Sequence, residues 1–265
     1  MKILVLVKVS LDVAEIKVDA ATEALRLEGV PEKVGNIDKN AVEAGVRLKE
    51  AAGGTLTAVC LAPASAKDSF KDILAIGADE VILIEDPFAG KAQAGAAVSI
   101  LEAAVRKLGP FDLLLAGFAS DDGYTYQVAP RLAERLGLPL VSYARQVSLE
   151  GNTLKAERDL DETIQSVQVS LPAVVSVAEE AFPPRRTTLM DALKAKKKPV
   201  TLWTVSESLG LSPDGLTQGS RLASSSQKGI VVHRKQQVFK GKGAAEMADA
   251  LIDALVQDGV LKGGA

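Results

Sequence analysis

The sequence predicts an α/β fold, a parallel twisted sheet with helices on both faces, continued by an antiparallel hairpin and an extended C-terminal arm. Three observations carry this. Apolar β-branched runs alternate with amphipathic stretches through the first half of the chain, which is the signature of βαβ units. Runs such as Val81-Ile82-Leu83-Ile84 and Leu113-Leu114-Leu115 are apolar without alternation, as strands buried on both faces must be. After Pro139 the strand signals follow one another closely, separated by short polar turns, and closely spaced strands pair antiparallel.

Taken in order, Lys2 to Lys8 reads as the first strand, since its apolar run lacks the length and cleavage signature of a signal peptide. Strands follow at Thr55 to Leu61, Glu80 to Ile84 and Phe111 to Ala116, with helical patterns at Lys39 to Ala52, Ala66 to Ile76, Ala92 to Leu108 and Thr125 to Leu136. Ser142 to Leu149 and Thr153 to Asp159 flank the turn Glu150-Gly151-Asn152, and Ile164 to Leu171 leads through Pro172 into Ala173 to Val177. Beyond Pro199 periodicity fades, and Ser206 to Lys228 is rich in Ser and Gly, as an extended arm would be. A last amphipathic helix, Ala244 to Gln257, stops near Gly259 and needs a surface to pack on. The division expected is an α/β domain over 1–199, containing a charged segment at 183–199, and an arm with its helix over 200–265.

Composition narrows the function. At 265 residues, 47% hydrophobic and 25% charged, the chain can bury a sizeable core. A net charge of −3 gives no nucleic-acid footprint. The long apolar stretch Ala94 to Val105 carries Glu102 and is too short to span a bilayer. Cys60 is the only cysteine, so no intrachain disulfide or cysteine metal site exists, and a reducing cytoplasm is the expected home. With one histidine, His233, no Ser/His/Asp or Cys/His set can be assembled; no catalytic residue and no metal site are expected.

Ligands of open α/β sheets bind beyond the carboxyl ends of the strands. The loop Gly117-Phe118-Ala119-Ser120-Asp121-Asp122-Gly123-Tyr124-Thr125-Tyr126-Gln127-Val128 stands there. Its glycines permit close backbone approach, and Thr125 and Gln127 stand near a helix N-terminus, where unpaired N–H groups attract phosphate. An ordinary helix cap by Asp121, Asp122 or Thr125 explains the same residues. Neither GxxxxGK[ST] nor a GxGxxG after the first strand is present, which argues against a P-loop hydrolase or a standard dinucleotide dehydrogenase.

The segment Arg185 to Lys198 carries six positive charges and one negative around Leu189, Met190 and Leu193. The apolar residues recur at helix-face spacing, and the lysines crowd the end where the macrodipole favours cations. A docking helix and a solvated surface helix both fit.

Five segments together resemble the beta subunit of electron-transfer flavoprotein, over Lys2 to about Leu261: the first strand with Val7-Lys8; Asn36-Ile37-Asp38-Lys39-Asn40-Ala41-Val42-Glu43 continuing through Arg47-Leu48-Lys49-Glu50; Ile76-Gly77-Ala78-Asp79; Asp122-Gly123-Tyr124-Thr125-Tyr126-Gln127-Val128; and the charged segment. The resemblance implies an adenine-nucleotide-binding, Rossmann-like sheet and a heterodimer. In it an alpha subunit supplies the main FAD domain, and the beta subunit clamps around it while holding AMP or, in electron-bifurcating members, a second FAD. It maps the pocket onto Leu6, Asn36, Ile37, Asp38, Leu61 and the loop from Gly117, Phe118 and Ala119 through Asp122, Gly123, Tyr124, Thr125, Tyr126 and Gln127 to Val128.

Tyr126-Gln127-Val128-Ala129 stands where AMP-type members carry an Asn-Gln-Thr-Gly loop, and Asp122-Gly123, Thr125 and Gln127-Val128 resemble the bifurcating pattern, which favours FAD in this subunit. Two departures stand out: the family's Asn-Pro-x-Asp stretch is Asn36-Ile37-Asp38 here, one residue shorter and without the proline, and the hairpin reads Arg158-Asp159-Leu160-Asp161-Glu162 where the family commonly continues with a Gly pair. The resemblance also implies a partner-recognition segment containing Arg185, Leu189, Met190, Lys194, Lys196 and Lys197, with Leu189 as anchor for docking dehydrogenases, and a contact of Asp159 with the mobile flavin domain. A stand-alone adenine-nucleotide-binding regulatory protein is the alternative. An adenylating enzyme would need a Ser-Gly-Gly-x-Asp-Ser loop where Lys8-Val9-Ser10-Leu11-Asp12 stands.

Overall fold

A computed structural model of the chain describes residues 1–85, 94–212, 227–231, 234–241 and 243–261. The strands are β1 (Lys2–Val7), β2 (Val9–Leu11), β3 (Lys17–Val18), β4 (Leu25–Arg26), β5 (Glu32–Val34), β6 (Thr55–Ala62), β7 (Glu80–Glu85), β8 (Leu113–Gly117), β9 (Leu140–Glu150), β10 (Thr153–Leu160), β11 (Thr163–Ser170), β12 (Ala173–Val177) and β13 (Val200–Thr204). The helices are α1 (Asn36–Ala52), α2 (Lys71–Ile76), α3 (Ala94–Leu108), α4 (Val128–Leu136), α5 (Leu189–Ala195) and α6 (Ala244–Gln257).

Nine strands form one sheet in the order β11-β10-β9-β12-β8-β1-β6-β7-β13. Every pairing from β9 across to β13 is parallel, whereas β10 and β11 extend the edge antiparallel. The near-continuous apolar strands are buried on both faces, as their composition requires. Ile3, Val5 and Val7 pack with residues of α1 and α2 on one side, while Leu4 and Leu6 pack with residues of α3 and α4 on the other. Period-2 alternation thus feeds two cores from one strand.

From β1 the chain passes through α1 to β6 on one side, and later through α3 to β8 on the other. The crevice between the carboxyl ends of β1 and β8 is therefore the point where strand order reverses, the place such sheets offer to ligands.

Differences from the sequence expectation have local causes. Past Pro199, where periodicity fades, Val200–Thr204 pairs in register with β7, so the sheet continues beyond the expected boundary at 199. The strand is too short, and too mixed in composition, to announce itself. The start expected for α3 at Ala92, most of the arm (213–226) and His233 lie outside the described residues.

Contacts divide the chain into two compact units: Met1–Lys17 with Leu25–Gln227, and Val18–Ala24 with Lys228–Ala265. In the second, Lys228 pairs with Glu23 at 3.0 Å, Lys235 pairs with Asp258, and no residue of α6 is buried.

Candidate functional site

The end of β1, the start of α1 and the loop 118–127 after β8 meet at this crevice, and acidic side chains tie them together. The N-cap of α1 is Gly35, which has no side chain to offer. Asp121 supplies the missing acceptors from the other loop, taking the N–H of Asn36 at 2.8 Å and that of Ile37 at 3.4 Å. Capping here acts between distant segments, and the positive end of the α1 dipole is met by the protein's own carboxylate. The sequence offered Asp121, with Asp122 and Thr125, as a candidate cap of the helix that follows the loop; the structure sets Asp121 on α1 instead.

Asp122 forms an ion pair with Lys8 at 2.7 Å. Burial draws its carboxyl upward, but the Lys8 ammonium together with hydrogen bonds from Ser120 and the Gly123 N–H holds it below the usual carboxylate value. Asp38 is buried and accepts the Lys8 backbone N–H at 2.9 Å. Loss of hydration, with Asp121 and Asp122 nearby, raises its carboxyl to about 8 against the Lys8 contacts. Asp38 thus holds its proton far more tightly than an ordinary aspartate, and while bound that proton is a donor O–H among carboxylates.

Gly117 explains how the two segments come so close. A Cβ there would stand 2.7 Å from Ile37 Cγ2 and 2.9 Å from Asp38 Oδ1, inside any tolerable contact. The close approach that its sequence suggested is to α1. Beyond it, Phe118 and Ala119 pack with Ile37. Phe118 is also the hub of an aromatic cluster, 5.6 Å from Tyr124, 5.4 Å from Tyr126 and 5.8 Å from Tyr143. All three tyrosines have positive φ, at 46°, 60° and 56° respectively, a region that bulky residues rarely enter. Tyr124 donates to Glu179 at 3.2 Å; burial, Tyr126 and that carboxylate push its phenol up to about 12.

The helix after the loop begins at Val128, with Gln127 as an N-cap that makes no side-chain cap bond; Thr125 falls in the loop before it. Val128 and Ala129 present the first N–H groups of α4, and Pro130 in the first turn has none to lose. The two helix ends at the crevice therefore differ: α1 is already answered by a carboxylate, and α4 lacks any side-chain cap. Leu6 and Leu61 lie below, in the apolar cluster that contains Ala116 and Ala129 and receives Val128. Contacts thus bring Asn36, Ile37, Asp38, Gly117, Phe118 and Asp122 together where β1, α1 and the loop meet, with Leu6, Leu61 and Val128 in the apolar cluster beneath. Sequence reading missed Tyr143 and Glu179, whose neighbours are set by a strand irregularity between Val175 and Val177 and by the turn after β12.

Asp159 lies apart, on β10, 4.0 Å from Arg145. Both stand in the wall of a cavity of about 860 Å³ that also includes Arg47, Glu179 and Phe182.

The charged segment divides sharply. Thr188 and Asp191 form a reciprocal capping box that starts α5. Leu189, Met190 and Leu193 on that helix are 78%, 61% and 44% exposed, and Lys194, Lys196 and Lys197 are also exposed. Lys198 is not part of that solvated set: its ammonium donates to the carbonyls of Leu74 and Ala78, at 2.7 and 2.6 Å, at the end of α2. Arg185 also turns inward, onto Glu43 and Glu50 of α1, at 3.0 and 2.6 Å.

The sequence pattern of the electron transfer flavoprotein domain matches residues 23–208. The chain belongs to the electron transfer flavoprotein family. It is 35% identical over 208 residues to the electron transfer flavoprotein subunit beta of Thermoanaerobacterium thermosaccharolyticum, covering 78% of this chain and 80% of the relative. The subunit beta of Clostridium acetobutylicum is 34% identical over 207 residues, 78% and 80% of the two chains. The caffeyl-CoA reductase-Etf complex subunit CarD of Acetobacterium woodii is 31% identical over 268 residues, 98% of this chain and 100% of its own. The family pattern thus covers α1, the loop after β8 and the charged segment but not β1; likeness to the last relative extends through α6. Among the described residues, no helix is long and apolar enough to cross a membrane.

Proposed function

We propose that this chain is the beta subunit of a heterodimeric electron-transfer flavoprotein. It works in the cytoplasm, carrying electrons between flavoprotein dehydrogenases and a downstream acceptor. Its alpha subunit supplies the main FAD domain and is clasped by the C-terminal arm. The crevice between β1 and β8 holds a second dinucleotide, FAD, as in bifurcating members. The observation that carries this reading is the pairing of two unlike helix ends at that crevice, in a chain of this family.

The residues present fit such a group. The uncapped N–H groups of Val128 and Ala129, with Thr125 and Gln127, suit phosphate oxygens. Asp121 and Asp122 are spent on α1 and Lys8, and burial favours the protonated form of Asp38, so the acidic wall repels an anion less than its composition suggests. Tyr124 and Tyr126, both exposed and backed by Phe118, offer ring surface to a planar ligand. Bound flavin supplies the redox chemistry, and the chain supplies binding and electrostatics. At α5, Leu189 is the apolar anchor and Lys194, Lys196 and Lys197 speed encounter, which suits short-lived complexes.

The test is to purify the chain with its alpha subunit, release the cofactors and count them. Two FAD per heterodimer support the reading. One FAD with one AMP overturns the second-FAD assignment, and a colourless chain without a partner overturns the carrier function.

A further inference from the structure

The segment that carries α5 is stitched to α1 by side chains whose positions in sequence give no hint of it. Phe182 N–H donates to Asn40 Oδ1 at 3.0 Å, and the Arg47 guanidinium lies 5.7 Å from the centre of the Phe182 ring. Arg185 then closes the seam. Its backbone N–H and Nε donate to Glu43 Oε2 at 3.2 and 3.0 Å, and one terminal nitrogen reaches Glu43 Oε1 at 3.2 Å. Its terminal nitrogens also reach Glu50 Oε1 and Oε2 at 2.6 and 2.9 Å.

The Glu43 side chain is only 2% exposed. A charge so buried must be paired, and a planar guanidinium can satisfy two carboxylates about two helical turns apart, which an ammonium cannot. Pro183 and Pro184 stiffen the approach to Arg185. Only Arg186 and Thr187 separate Arg185 from Thr188, the cap of α5. The anchor point and the exposed face of Leu189, Met190 and Leu193 are thus joined by a very short lever.

We propose that Arg185 is a positioning residue for partner docking: it does not touch the partner but ties the segment entering α5 to α1 through Glu43 and Glu50, while α5 itself packs on α2 and Lys198 holds its far end there, so that the Leu189 face is presented in one orientation. This rests on the reading of Leu189 as the docking anchor. An anchor held in place binds without first being ordered, and loss of that order weakens association while leaving the electron-transfer step itself alone.

The test uses the intact heterodimer with a substrate-reduced flavoprotein dehydrogenase that reduces the wild-type complex. Arg185→Ala should raise the dehydrogenase concentration for half-maximal rate roughly tenfold, the scale of one hot-spot contact, with the limiting rate and flavin content unchanged. Arg185→Lys should recover only part of that loss, and amides of Leu189 to Ala195 should exchange hydrogen faster while those of α2 do not. Glu43 keeps Arg47 at 2.8 Å, so the fold survives; should Arg185→Ala nevertheless lose flavin, Glu50→Gln removes only the outer pair and should shift the same constant about two- to threefold. A slower limiting rate, or an unchanged half-maximal concentration in both Arg185→Ala and Glu50→Gln, overturns the inference. Leu189→Ala separates the two levels. If it slows exchange and the Arg185 and Glu50 variants do not, positioning fails and docking stands; if it leaves exchange unchanged, the docking reading itself fails.

Discussion

Removing the carboxylate of Asp121 should open the first turn of α1 while leaving the rest of that helix in place. Two bonds end on it, at 2.8 and 3.4 Å, and Gly35 offers no substitute cap. Loss of a cap costs about 1 kcal/mol, and loss of a negative charge from a helix N-terminus roughly 0.3–1 kcal/mol more. Relief of repulsion with Asp122 returns a few tenths, since surface and half-buried charges are screened. Asp121→Ala should therefore destabilise the protein by about 1–1.5 kcal/mol. Asp121→Asn, which keeps one oxygen acceptor and loses the charge, should cost about 0.5 kcal/mol. With a urea slope of about 2.5 kcal/mol/M, the Ala variant should lower the midpoint by roughly 0.5 M. Hydrogen exchange should quicken at the start of α1 and stay unchanged beyond its second turn. An unchanged midpoint for Asp121→Ala, or an Asn variant as damaging as Ala, would refute capping from the distant loop.

Two further outcomes follow from the same crevice. Gly117→Ala must displace Ile37, Asp38 or the carbonyl of Ala119, an overpacking worth about 1–3 kcal/mol; thermal unfolding should show it, together with lower nucleotide retention in the heterodimer, and wild-type values in both would contradict the contact. Asp38 carries its proton in the folded state to about pH 8 but ionises near 3.8 when unfolded, so its contribution to stability is full below about pH 4 and lost as pH rises through 8. Asp38→Asn should flatten that decline in urea titrations across this window, and a slope equal to wild type would show that the carboxyl is ionised in the fold.

Legibility of the sequence followed the range of the interactions. Strands such as Val81 to Ile84 declared themselves because burial on both faces dictates their composition, and the βαβ order then placed the crevice without further information. Thr188-Leu189-Met190-Asp191 held a capping box that local reading could have found. Asp121 could not be assigned, because its partners lie 85 positions earlier and nothing near it distinguishes a distant cap from a local one. Arg185 and Lys198 were hidden in the same way. In a run of positive residues each looked like solvent-facing charge, whereas Glu43, and the carbonyls of Leu74 and Ala78, draw them inward. Asn36 to Asp38 resembled its family, but only Gly117 shows why the segment sits where it does.

The borrowed helix ends have a consequence for the order of events during synthesis. α1 is finished by a residue made 85 positions later, and the end of α2 by Lys198, more than 100 positions after its own last turn. Both helices therefore emerge from the ribosome with open termini and complete themselves only when β8 and α5 have arrived, a long-range closure that slows folding. The two helix ends are thus completed at different lengths of nascent chain: that of α1 once Asp121 has been made, that of α2 only once Lys198 has followed.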